Sequence, residues 1–283
     1  MKRILPILLA FFLTGTVVAQ KHEATPQDVK RFFTTQKTYV VLENNPISSY
    51  NFKLQQAIKD NWTISEYEFI PHTQFEELRR DPNNSFLMMT QVVFDKDKTK
   101  TRYNFLNLML GEKTYKWEDM TDLVAVPLSY TEVDEEYWVY KLETLIRFLQ
   151  NHMLTLKKNP DLVDSDLFKY YKDNIKDIKN KTLYLVQDEL EEDINTLAKI
   201  QDVYPYRVKL ASRQEIEEVI ESQEKNAVFL HKVGPYGTRL KARCYKIIIG
   251  AEDANFYYFD MHKIVRGKKP DGLLEKDLKK MSR

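Results

Sequence analysis

The apolar runs between residues 38 and 130 recur, in the same order, between residues 182 and 264. TYVVL (38–42) is matched by TLYLV (182–186), each a compact β-branched run of the kind that forms a buried strand. Tyr50, Leu54, Ala57 and Ile58, spaced as one helix face, are matched 140 positions later by Leu190, Ile194, Leu197 and Ala198. TQFE (73–76) and SRQE (212–215) both read as capping boxes opening a short helix. SFLMMTQVVF with RYNFLNLML reads as a strand pair around DKDKTK (95–100), and AVFLHKV with TRLKARCYKIIIG as another around GPYG (234–237). LVAVPLSY (123–130) corresponds to NFYYFDMHKI (255–264), and Gly111 and Gly250, 139 positions apart, end corresponding strands. The first strands are offset by 144, so a few loop insertions separate the copies. One such match arises readily by chance; the whole order does not. The sequence predicts one α-β-α-β-α-β-β-β-α unit written twice.

Within each unit the βαβαβ portion calls for parallel strands and right-handed crossovers, and the hairpins add antiparallel strands. The expected fold is α/β, a tandem duplication in which each unit is a mixed sheet flanked by helices. The expected boundaries are a signal peptide at 1–19, a first unit at 20–160 ending in a long helix, and a second unit at 161–283. This order of elements resembles the amino-terminal domain of the periplasmic protein TolB and the CsgG-type secretion lipoproteins. It also resembles a thioredoxin-like core without its cysteines. No motif accompanies these likenesses, and they carry over no functional residue.

The chain opens MKRILPILLAFFLTGTVVAQ, a short basic region, an apolar stretch and small residues before Gln20. That pattern predicts a cleaved secretory signal and a periplasmic or secreted protein, with no lipid-anchor cysteine at the cleavage point. No later stretch reaches the roughly 18 apolar residues of a membrane span. Lys2 and Arg3 leave with the signal, so 43 basic residues become 41 against 42 acids. Such a balance argues against partners that are nucleic acids or anionic membranes. A lone Cys244 rules out an intrachain disulfide framework and a CxxC pair.

Residues 131–158 carry no Gly or Pro and place Trp138, Leu142, Leu145, Leu149, Met153 and Leu156 on a narrow seam. The spacing predicts a helix capped at Thr131 or Asp134. It either packs on its own sheet and bridges the units, or, through residues 134–157, joins a second copy in an oligomer.

No HExxH, GxSxG or P-loop occurs, and no two of the five His are four residues apart, so neither a catalytic set, a metal site nor a cofactor is expected. DKDKTK lacks the Gly and Glu of a calcium loop and reads as a solvated turn. The candidate ligand-binding residues are Tyr257 and Phe259, from an aromatic strand with one face to spare, and His231 and His262, on strands that could bring them together. Cys244 alternates with Lys241 and Arg243 and, 139 positions after Phe105, is expected in a buried, slow-reacting slot. The functional expectation is an exported, non-catalytic tandem-repeat protein of the envelope that binds or organises a protein partner or a small ligand. The alternative is a hydrolytic enzyme whose site is assembled in the cleft between the units.

Overall fold

The computed structural model describes residues 24–94, 97, 99–164, 170–237, 241–265 and 267–283; the expected signal peptide lies outside them. The first unit opens with α1 (Pro26–Phe32), where Thr25 and Asp28 cap each other's backbone amides. β1 (Lys37–Leu42), α2 (Ser49–Asn61), β2 (Tyr67–Pro71), α3 (His72–Leu78), β3 (Asn84–Val93), β4 (Arg102–Leu110) and β5 (Asp122–Tyr130) follow, and α4 (Leu142–Lys158) closes the unit. The second runs β6 (Thr182–Leu185), α5 (Leu197–Gln201), β7 (Val208–Leu210) and α6 (Arg213–Glu221). It continues through β8 (Ala227–Val233), β9 (Arg243–Gly250), β10 (Phe256–Lys263) and α7 (Glu275–Met281).

Each unit forms a five-stranded sheet, in the orders β2-β1-β3-β4-β5 and β7-β6-β8-β9-β10. In both, the first strand is parallel to its two neighbours and the last three strands form an antiparallel meander. The unit is written twice.

The match between copies shifts by one residue at the meander. Gly111 N–H donates to Asn84 O, and the corresponding bond runs from Ala251 to Ala227, each 2.9 Å. Ser85 pairs with Leu110 as Val228 pairs with Gly250. Gly250 therefore corresponds to Leu110 rather than Gly111, and Cys244 takes the place of Asn104, not Phe105. A one-residue slip exchanges the two faces of a strand. Cys244 is nonetheless fully buried, and burial pushes its thiol pKa well up, as a slow-reacting group requires.

Four helices depart from their sequence patterns. The TQFE box does not form, because α3 starts at His72 directly from β2 and has no side-chain cap. The helix expected at 131–158 begins only at Leu142, after 3-10 turns at Glu135–Tyr137 and Val139–Lys141. Those turns are held by the first unit itself: Glu135 accepts the Tyr50 amide at 3.1 Å, and Trp138 packs on the Tyr50 ring. The counterpart of α2 is broken into 3-10 turns and the five-residue α5. The second unit's first helix lies partly outside the described residues, and its described part, Lys172–Asn180, is a 3-10 run burying Ile178.

α4 settles how the units meet. Leu142, Leu145, Leu149, Met153 and Leu156 are at most 1% exposed, inside a cluster that also holds Leu106 and Val126 of the first sheet and Phe229 and Ile249 of the second. The seam is covered by this chain itself, and the helix bridges its two sheets. Arg147 donates to the carbonyls of Ala251 and Glu252, satisfying the end of β9.

A second bridge comes from the β3–β4 turn. Asp97 is 8% exposed rather than solvated, and its carboxylate receives the Arg243 guanidinium and, at 2.9 Å, Lys263. The hydrogen bond from Arg243 is the main cause that holds Asp97 down to about 2. Because the folded pKa lies below the ordinary value of about 3.9, the clamp stabilises the fold above about pH 4 and is lost as pH falls toward 2. Asp97→Asn should therefore lower the thermal midpoint at pH 5 and converge with the parent near pH 2. A gap that stays constant across that range would show that charge is not what the clamp contributes.

Candidate functional site

Docking the units brings the starts of α2 and α6 to one cleft of about 850 Å³. Ser48 caps α2 by accepting the Asn51 amide, and Ser212 caps α6 in a reciprocal box with Glu215. Across the gap Lys53 reaches Glu217 at 2.8 Å and Glu221 at 3.5 Å. Arg213 is held at 2.6 Å by Asp188 and lies over the Tyr137 ring at 4.4 Å. Val139 and Tyr140 complete the lining from the segment leading into α4.

The mouth of the cleft is apolar. Ile47 is 90% exposed and Phe52 67%. They occupy the positions just before the α2 cap and one turn in, where a staple would fold them onto each other. At these exposures neither covers the other.

Next to the cleft lies a charge set taken out of water at the unit boundary. Lys141 and Glu189, both fully buried, pair at 2.9 Å, and Tyr236 donates to the same Glu189 oxygen at 2.6 Å. Burial pushes the Lys141 ammonium pKa down and the Glu189 charge opposes it. Burial, reinforced by Glu189, drives the Tyr236 hydroxyl far up. Lys232 is held by Asp271 at 2.6 Å and sits 3.4 Å from the Tyr236 ring centre. Tyr140, which lines the cleft, has its ring 4.9 Å from Lys141 Nζ, and its hydroxyl finds no partner among the described residues.

The residues singled out from the sequence lie elsewhere. β10 is covered on both faces: Phe256 stacks on Phe148 of α4 at 3.7 Å, while Tyr258 packs with Ile248 and donates to Asp277. A bulge at Tyr257 turns its ring to the Tyr258 side, where it is 5% exposed and donates to Asp253. Phe259 packs against the unit boundary instead. The sheet register also separates the two histidines. His231 stands opposite Ile247 and His262 opposite Cys244, an odd three positions apart along β9 and so on opposite faces. Each His is a buried group hydrogen-bonded to a carbonyl, His231 to Pro127 at 2.9 Å and His262 to Pro270 at 2.8 Å. Burial first, then the nearby Lys141, brings His231 down to about 3, and burial likewise lowers His262. Tyr257, Phe259, His231 and His262 are not brought together, and none lines the cleft.

One part of the cleft was legible. Tyr50, Leu54, Ala57 and Ile58 point inward, so Phe52 is an apolar residue on the polar face of its helix. Arg213 and Tyr140 gave no such signal, since only the docking of the units gathers them.

Among the described residues no group of His, Cys, Asp and Glu has metal-ligand geometry, and no helix is long and apolar enough to cross a membrane. No protein-family model matches the chain, and no curated protein or solved structure is detectably similar to it.

Proposed function

We propose that the chain is an exported tandem-repeat protein of the cell envelope that binds or organises a partner, with the cleft between its units as the recognition site. The observation that carries this reading is the pair Ile47 and Phe52, 90% and 67% exposed at the mouth of a cleft whose walls come from both units. A large aromatic and an aliphatic side chain left in water beside a concavity favour contact with another molecule. Binding is favoured over hydrolysis because the cations and the capping hydroxyl that line the cleft are engaged in other roles. Lys53 and Arg213 are held by carboxylates and Ser48 by its capping bond. The apolar opening of the chain supports export.

A photo-crosslinking residue at position 52 in producing cells tests both parts. The expected product is a discrete adduct from the envelope or secreted fraction, carrying a chain that has lost residues 1–19. The same residue at Tyr115, 92% exposed and outside the cleft, should give none. Equal labelling at the two positions, or none at position 52, would remove the cleft from consideration.

A further inference from the structure

We propose that the cleft seats a basic and apolar stretch of a partner polypeptide. An apolar side chain would lie against Ile47 and Phe52, and a neighbouring lysine or arginine would reach the carboxylates of Glu136, Glu143 and Glu221. This inference rests on the cleft being the recognition site and adds the chemistry of what fills it.

The argument begins with charge. A second, smaller cavity of about 20 Å³ adjoins the cleft, sharing Lys53, Val139 and Tyr140 with it. Together the two linings carry Glu136, Glu143, Glu217 and Glu221 against Lys53 and Arg213, an excess of two negative charges. Neither cation is available to an incoming anion, for Lys53 lies between Glu217 and Glu221 and Arg213 holds Asp188. Glu136 makes no ion pair or hydrogen bond among the described residues, and Glu143 is bonded to none, although Arg147 and Lys53 stand near enough to offset part of its cost. Burial raises the Glu143 pKa, so its anionic form is disfavoured where it stands. An arriving cation would relieve that cost; an arriving carboxylate would add to it.

Two further features fit a lysine or arginine stem beside an apolar side chain. The approach is apolar, through Ile47, Phe52 and Val139, which suits methylene groups ahead of a charged head. Tyr140, 6% exposed, walls both cavities and adds an aromatic face beside the path of a cation, its hydroxyl being buried out of reach of the cleft. A polypeptide supplies an apolar side chain and a cation at once; a small amine supplies only the cation.

Fluorescence anisotropy on the full chain tests this with three probes: a labelled octapeptide alternating Leu and Arg, its Leu and Glu counterpart, and butylamine as competitor. The Leu/Arg peptide should bind and should weaken as salt rises. Glu136→Lys should weaken it about tenfold and Glu143→Gln several-fold. Glu77→Lys, a charge reversal on α3 away from the cleft, should leave it unchanged, which separates the cleft from general attraction to acidic surface. Thermal unfolding of each variant confirms that it is folded; Glu136 is exposed, so its reversal should not disturb the core. Equal or tighter binding of the Leu/Glu peptide, or indifference to both Glu136→Lys and Glu143→Gln, would overturn the proposal. Displacement by butylamine as effective as by unlabelled peptide would overturn the polypeptide. An adduct at position 52 without any charge preference would sink this inference and leave the cleft standing; no adduct would sink both.

Discussion

Glu189→Leu should destabilise the protein by about 3–5 kcal/mol in urea unfolding at pH 7, because it leaves the Lys141 ammonium buried without a counter-charge. Both side chains are fully buried and paired at 2.9 Å across the unit boundary. The ammonium has no water to return to unless the boundary opens. The variant should recover stability as pH rises, since the folded-state pKa of Lys141 is already pushed down by burial and loses its main compensation. The sign follows from proton uptake. Between the lowered folded pKa and the ordinary value of about 10.4, the unfolded chain binds the extra proton, so raising pH favours the fold. Replacing both partners, as Lys141→Met with Glu189→Leu, should restore most of the loss, because apolar groups of similar size have no charge to desolvate. A single-variant cost under about 1 kcal/mol, or a double variant no better than the single, would mean that the pair is hydrated and the boundary looser than described.

The order of elements and most of their apolar faces were legible because two periods, 2.0 and 3.6, are written plainly into both copies. What failed did so for tertiary reasons. Leu190, Ile194, Leu197 and Ala198 have helical spacing, yet the backbone around Leu190 is claimed by the carboxyl-terminal segment. Glu191 N–H donates to Leu273 O at 3.0 Å, and Leu273 N–H to Glu189 O at 2.8 Å, which leaves those groups unavailable to a helix. The glycine match failed because the two glycines serve different needs. A Cβ on Gly111 would stand 2.1 Å from the Asp81 carbonyl, whereas one on Gly250 would meet the Asp253 carboxylate at 2.0 Å. The site was legible only through Phe52. His231 and His262 looked available because a sequence shows that two residues lie on strands but not which face each takes. That depends on a register only the pairing supplies. Asp97 was hidden in the same way, its guanidinium partner lying 146 positions downstream.

Phe148→Ala should cost about 3–5 kcal/mol and should do so in both units at once. Phe148 is fully buried on α4, and its ring lies 3.7 Å from that of Phe256 at an interplanar angle of 7°. Truncation removes contacts to the second sheet while leaving a cavity in the cluster that the first sheet shares, so neither unit can keep its core by parting from the other. The chain supplies a probe for each. Its three tryptophans, Trp62, Trp117 and Trp138, all belong to the first unit, and the buried Cys244 belongs to the second. Tryptophan fluorescence and thiol labelling followed against urea should give one midpoint in the parent and one in the variant. The variant's midpoint should be lower by on the order of 1–2 M at the slope expected of a chain this size. If the tryptophan midpoint falls while Cys244 stays protected to the parental concentration, the units fold separately and α4 is a contact between them rather than a shared core.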